Sequence, residues 1–259
     1  MASNRLETVK LQLLAIHVLR SLKPLYSYRE LAKLVGLPPS MLCRYTRGST
    51  IPSPEHAKRI VEYVLEEGRL RDIILRKLDV KEGYIDTRPV FSDSSMLFLV
   101  SAYLAKKYSG AKVTKVLVPE ARGIPLATAI ALELDAQLVI ARRVKDNPYE
   151  DYIESIALDN TYNPIYFYVP RKHISYRDRV LIVDDLVESG QTLRALLAIV
   201  EHCKAKLVGV FILVAVGGAW RKNLDVEAPV EAVLELSRPL ARSLLRDIHF
   251  EDYHEQSSS

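Results

Sequence analysis

The chain has little of what a small secreted or metal-built domain relies on. Only two of its 259 residues are cysteine, Cys43 and Cys203, far apart and without metal-ligand spacing. That excludes a disulfide framework or a zinc knuckle and suggests two reduced, partly buried thiols in a cytosolic protein. The six histidines form no metal-site or catalytic-pair arrangement. Methionine, asparagine and glutamine are sparse beside abundant Lys, Arg and Glu, a balance that leans towards a thermophilic source. No apolar run approaches a membrane span and no signal-peptide pattern opens the chain, so a cytoplasmic protein without a membrane partner is expected. What is present is an ordinary globular composition, 49% hydrophobic and 26% charged, enough for one or two domains. Ser257–Ser259 reads as a disordered tail or a cloning remnant.

Charge is unevenly divided. Residues 1–78 carry 14 Lys and Arg against 7 Asp and Glu, a net of +7, which leaves 22 against 25, a net of −3, for the rest. The basic third hints at nucleic acid. Within it, Leu6, Val9, Leu13, Leu14, Ile16 and Leu19 recur at a helical period, and Pro24 ends that helix. Ser27 and Glu30 have capping-box spacing. From Tyr28 the pattern fits a helix-turn-helix: Leu31 and Ala32 towards the core, Val35 closing the first helix, Gly36 in the turn and Leu37 beneath it. Pro39 and Ser40 open the second helix, with Leu42 and Tyr45 on its buried face. Its outward face then carries Ser40, Arg44 and Arg47, placed to reach base edges or phosphates in a major groove. Ser53 caps a further helix, with Pro54 at its first position. Residues 10–66 resemble the Cro/C1 repressor type of helix-turn-helix, which implies double-stranded DNA as a partner. A plain helical bundle is the alternative.

Gly68 interrupts the next helical pattern, and Arg69–Leu78 is expected to continue as a connecting helix. Residues 79–89, with Gly83 and Pro89 and no periodicity, are the linker candidate. The expected division is a DNA-binding domain at 1–78, that linker, and an α/β domain at 90–259.

From Ser95 onwards helices alternate with apolar strands, the signature of a parallel sheet flanked by helices. Helices are expected at Leu97–Tyr108, Ile124–Leu134 and Leu193–Val200. Strands are expected at Lys115–Val118, Gln137–Ala141, Ile165–Val169, Val180–Val183, Leu207–Val216 and, as an edge strand, Val230–Leu236. Lys145–Asn163 is polar and irregular. The most informative stretch is Val180–Thr192, an apolar run that meets Asp184 and Asp185 and continues through Val187, Glu188, Ser189, Gly190, Gln191 and Thr192 into a helix. Ligands of parallel sheets bind at the carboxyl ends of strands, and a helix start suits a phosphate. Adjacent carboxylates suit ribose hydroxyls or a divalent cation. Two more loops follow strands at the same edge. One is Glu120-Ala121-Arg122-Gly123; the other, with Arg143 and Lys145, brings cations to an anionic ligand.

Together these segments, over roughly residues 86–220, resemble the type I phosphoribosyltransferase fold. The resemblance implies that Asp184 and Asp185 hold the ribose hydroxyls of phosphoribosyl pyrophosphate (PRPP), directly or through magnesium. It also implies that Val187–Thr192 wraps the 5′-phosphate and that Glu120–Gly123 is a pyrophosphate loop with a non-proline cis peptide. Lys145–Asn163 then corresponds to a flexible lid. Trp220 lies at a base-binding segment, with packing and stacking equally open. Glu188 occupies a position where an acid assists at the base in hypoxanthine-type members; it would act as a general acid/base if the protein is an enzyme, or repel a phosphate.

A DNA reader ahead of such a domain resembles the archaeal phosphoribosyltransferase-like regulators of the GfcR kind and, less closely, the bacterial purine repressors. The resemblance implies a homodimeric transcription factor that senses PRPP or a nucleotide and binds a palindromic operator. The alternative is an active phosphoribosyltransferase with a regulatory amino-terminal domain.

Overall fold

A computed structural model describes residues 2–81, 84–158, 162–222, 224 and 226–237. The linker candidate's Gly83, residues 159–161 of the expected lid and Ser257–Ser259 lie outside the described residues.

Five helices come first: α1 (Ala2–Leu22), α2 (Tyr28–Val35), α3 (Pro39–Arg47), α4 (Pro54–Val64) and α5 (Glu67–Leu75). Local chemistry fixes their ends. The Ser27 hydroxyl accepts from the Glu30 N–H at 3.2 Å while the Glu30 carboxylate accepts from the Ser27 N–H at 2.6 Å, a complete capping box. Gly36 closes α2 at φ 65°, a left-handed conformation that favours glycine. Ser53 caps α4 through the His56 N–H, with Pro54 at the first helical position.

Leu31, Val35, Leu37, Leu42, Tyr45, Ala57 and Ile60 are buried together. In α1 the buried face is Ala15, Val18, Leu19 and Leu22, while Leu6, Val9 and Leu13 are exposed. Apolar residues are spread around that helix among polar ones, so its period alone does not select a face. The break before α5 falls at Leu65–Glu66, and Gly68 sits inside the first turn of α5 rather than ending a helix.

The linker candidate holds an antiparallel hairpin of β1 (Asp79–Lys81) and β2 (Tyr84–Asp86) and the start of α6 (Arg88–Phe91). Then come α7 (Ser94–Tyr108), β3 (Lys115–Pro119), α8 (Ile124–Glu133), β4 (Gln137–Ala141), β5 (Tyr152–Leu158), β6 (Pro164–Pro170), β7 (Arg179–Val187), α9 (Gln191–His202), β8 (Lys206–Val216), α10 (Ala219–Lys222) and β9 (Val230–Leu236). The main sheet has the order β4-β3-β7-β8-β9, every neighbouring pair parallel, with β9 at its edge as expected.

Two expectations are corrected here. Ile165–Val169 belongs to no parallel sheet: it is the middle of β6, which pairs antiparallel with β5 in a separate two-stranded ribbon. The expected irregular stretch therefore contains a regular strand from Tyr152. Outward-facing Ile156 and Leu158 blur the apolar–polar alternation that would have announced it. Strand β7 also runs four residues past Val183, because its backbone stays paired with β8 as far as Val187↔Ala215.

The side chains of β7 alternate between two cores. Leu181 and Val183 join the face covered by α7 and α8; Val180 and Ile182 join the face covered by α9 and the ribbon. The first core runs unbroken into the helix-turn-helix, including Leu42 and Ile60 beside Leu99, Phe211 and Leu234. Helix α1 packs on α7, with His17 stacked on Phe98 at 3.6 Å, and α5 packs on α7 and β9. We expect Leu42→Ala, which empties a fully buried site, to cost about 2–5 kcal/mol. Calorimetry should still show one unfolding transition for reader and sheet together; a separate early transition would disprove the shared core.

Candidate functional site

The sheet order, counted by chain position of its own strands, is 2-1-3-4-5, which places the reversal between β3 and β7. Crevices outside the carboxyl ends of strands at such a reversal are where ligands enter open α/β sheets. Three sequence-chosen groups meet there: Asp184 and Asp185 on β7, Glu120–Gly123 after β3, and Glu188–Gly190 after β7.

Asp184 and Asp185 are 3% and 8% exposed. By the alternation of β7 the first turns to the α9 side and the second to the α7 side. The Asp185 N–H donates to Asp184 Oδ1 at 2.9 Å. Asp185 Oδ2 accepts from the Thr87 hydroxyl at 3.2 Å and faces Arg122 Nε at 3.7 Å. Burial, followed by the charge of its neighbour, pushes the Asp184 carboxyl well above the usual carboxylate range.

The Glu120–Ala121 peptide bond is cis. Glu120 fastens two loops: its N–H donates to the Ala141 carbonyl at 3.1 Å, and its carboxylate accepts from the Arg143 N–H at 2.9 Å. A Cβ on Gly123 would stand 3.1 Å from Val118 Cγ2 and 3.6 Å from the Asp185 nitrogen, so this loop lies directly against β7. Gly190 opens α9 at φ 79°, and a Cβ there would meet the Trp220 backbone at 3.1–3.2 Å. Val187 is buried, Glu188 and Ser189 are half-buried, and the Gln191 N–H donates to Ser189 Oγ at 3.4 Å. Gln191 and Thr192, expected in the loop, form the first turn of α9.

Three further residues of the expected site are placed as follows. The Trp220 ring is 1% exposed, buried behind Gly190, so of the two open alternatives the structure has packing. Lys145 is drawn to the ribbon, with Nζ 4.9 Å from the Tyr168 ring centroid and 3.6 Å from Glu154. The Arg143 guanidinium lies 5.9 Å from the Phe167 ring.

Thr87 was missed. It is fully buried and reaches a carboxylate 98 residues away, a contact that no local pattern signals. Its neighbours Asp86 and Arg88 pair at 2.6–2.9 Å, and those hydrogen bonds hold the Asp86 carboxyl at about 2, with Arg122 adding to the effect.

On the reader, Ser40, Arg44 and Arg47 are exposed along α3 while Leu42 and Tyr45 are buried. The helix is held from three sides. Arg20 Nε donates to the Thr46 carbonyl at 2.8 Å, Tyr28 and Thr46 hydroxyls meet at 2.7 Å, and Tyr45 Oη lies 2.9 Å from His56 Nδ1. Among the described residues no group of three or more His, Cys, Asp or Glu side chains is arranged to hold a metal, and no helix is long and apolar enough to cross a membrane.

The buried acidic pair yields a stability prediction. A carboxyl whose folded pKa is raised destabilises the fold when ionised, and the penalty fades as pH falls through that raised value. Asp184→Asn should therefore raise the melting temperature at neutral pH, by roughly 2–4 °C for each kcal/mol of that burial and repulsion penalty relieved. The gain over wild type should shrink on acidification. A fall in melting temperature at neutral pH would contradict the assigned penalty.

The comparisons agree with this geometry. Residues 91–233 match the family model of the phosphoribosyl transferase domain, and residues 23–64 match a helix-turn-helix model. The chain is 28% identical over 187 residues to a xanthine phosphoribosyltransferase of Bacillus cereus (strain G9842), covering 70% of this chain and 90% of the relative. Among solved structures it resembles adenine phosphoribosyltransferase from Rhodothermus marinus, with TM-score 0.59 and 26% identity over 65% of this chain and 99% of that one. The Saccharomyces cerevisiae enzyme, at 20% identity and TM-score 0.58 over 64% of this chain and 99% of that one, shares the fold. With more than half its length matched, the chain belongs to the phosphoribosyl transferase domain family, and it carries a helix-turn-helix domain ahead of that domain.

Proposed function

We propose that this protein is a DNA-binding transcriptional regulator that senses PRPP or a nucleotide through its phosphoribosyl transferase domain, in the manner of the archaeal GfcR-like regulators. The observation that carries the reading is the union in one chain of an exposed Ser40–Arg44–Arg47 face on a helix-turn-helix with a buried acidic pair at a sheet crevice. Residues 1–78 would form the reader, 79–89 the connection and 90–259 the sensor, in a cytoplasmic homodimer on a palindromic operator.

In this reading Asp184 and Asp185 take the ribose hydroxyls, and Val187–Thr192 the 5′-phosphate at the start of α9. Glu120–Gly123 receives the pyrophosphate, aided by Arg122, with Arg143 and Lys145 at the ribbon side. A magnesium ion fits the pair chemically, since two buried, mutually repelling carboxylates gain from a divalent cation. Asp184 and Asp185 would hold it together with the ligand's own oxygens, and it would offset the ligand's negative charge.

A second reading, an active phosphoribosyltransferase with Glu188 as acid/base at the nucleobase, draws support from the relatives named as xanthine phosphoribosyltransferases. Incubation with magnesium–PRPP and xanthine, adenine, guanine or hypoxanthine separates the two. We expect no base-dependent pyrophosphate release at ordinary enzyme rates; such release would overturn a regulator-only role.

Two variants probe the halves separately. Arg44→Ala should weaken operator binding about tenfold or more, within the ~1–3 kcal/mol of a base-directed arginine. Unaltered affinity in fluorescence anisotropy would remove α3 from the groove. Asp184→Asn combined with Asp185→Asn should abolish calorimetric binding of PRPP while the folded chain still binds DNA. Retained PRPP binding would refute the pocket.

A further inference from the structure

Thr87 stands at the N-cap position of α6, where a threonine hydroxyl ordinarily accepts from the helix's own free N–H groups. Here it makes no such bond. Its hydroxyl instead donates across the molecule to Asp185 Oδ2. The residue is fully buried, so the hydroxyl has no water to fall back on when the carboxylate moves. The same Oδ2 faces Arg122 at 3.7 Å, and Arg122 also acts on Asp86, the residue before Thr87. One carboxylate oxygen thus answers to the crevice and to the chain that enters from the reader.

That chain is short and tightly held. Ile85, Val90 and Phe91 are buried in the core that includes both the reader and the α7 face of the sheet. Lys77, just after α5, pairs with Asp93, the N-cap of α7, at 2.7 Å. Helix α5 in turn packs against α4 of the reader. A shift at Thr87 has a continuous path of packed groups to the helix-turn-helix, and Asp185 and Asp93 are polar anchors on either side of it.

We propose that the Thr87–Asp185 hydrogen bond is where occupancy of the crevice is sensed by the segment Tyr84–Asp93, making Thr87 a positioning residue that couples ligand to DNA affinity. This rests on the sensor reading above. A ribose diol or hydrated cation arriving at Asp185 draws on the oxygen that Thr87 holds, and an anionic ligand draws Arg122 away from it. Either event changes the bond, and Thr87 moves with its partner. Coupling then consists of different strengths of this one bond in the free and the occupied states.

The test uses the full chain and a duplex selected by the wild-type protein from a random DNA pool. The readout is the ratio of DNA dissociation constants with and without saturating magnesium–PRPP. Thr87→Val, which keeps the shape and deletes the hydroxyl, should bring that ratio to within about twofold of one, while Thr87→Ser should retain most of the wild-type ratio. A merely structural threonine would lower stability and leave the ratio alone, so a Thr87→Val protein with the wild-type ratio overturns the proposal. A second measurement needs no variant. Amide hydrogen exchange in residues 84–93 of the wild type should change at least severalfold on adding magnesium–PRPP, and unchanged exchange there also overturns it. A wild-type ratio of one with PRPP, AMP and GMP alike overturns the sensor reading itself, and this is seen before any variant is made.

Discussion

Two adjacent carboxylates buried at the end of a central strand are the constraint around which the rest is arranged. Removing one carboxylate from water is costly, and placing a second beside it adds repulsion. The fold answers with specific groups: a backbone N–H on Asp184, a threonine hydroxyl on Asp185, and a guanidinium at the edge. Because strand residues alternate, these partners come from different layers of the molecule. Asp185 is served from the α7 side, where the chain enters from the reader. Asp184 turns to the α9 side, where burial and the charge of Asp185 hold its carboxyl pKa well above the usual range.

That division gives the helix-turn-helix its mechanical position. The reader docks on the α7 side of the sheet, through α1 and α5, and shares a core with it. A docked reader with a separate core would be free to rotate on its connection. Here a change in how Asp185 is held meets packed side chains all the way to α4. On the opposite side α9 starts at the left-handed Gly190, close against the Trp220 backbone, where a Cβ would stand 3.1–3.2 Å from it.

The reader was legible in detail because its signals are local. Capping residues, prolines at helix starts and a glycine turn act within four residues, and each does so in the structure. The parallel strands were legible because burial on both faces leaves continuous apolar runs. Legibility ended where distant parts decide. Strand β7 extends through two acids because β8 supplies the hydrogen bonds. Strand β5 hid behind outward apolar residues, and the buried face of α1 is chosen by α4 and α7 rather than by its own period. In the crevice, Asp184, Asp185 and the two loops beside them could be read from the sequence. Thr87 could not, because it falls in the stretch read as a linker and its partner Asp185 is 98 residues away in the chain.

The distribution of cations carries the last step. Three basic side chains follow β4, and the structure uses each of them nearby: Arg142 with Asp146 and Glu120, Arg143 over Phe167, Lys145 with Glu154 and Tyr168. Arg122 is the described cation that faces the acidic pair, and it is shared between Asp185 and Asp86. Its side chain is half exposed, so it has freedom to turn. An anion entering the crevice therefore competes with two carboxylates for one guanidinium. Whatever binds must compensate Asp185 for the loss, and a ligand that presents hydroxyls or a cation beside its phosphates does both at once. Free phosphate would take Arg122 without offering Asp185 a donor, so under the proposed function the acidic pair would favour phosphorylated sugars over free phosphate.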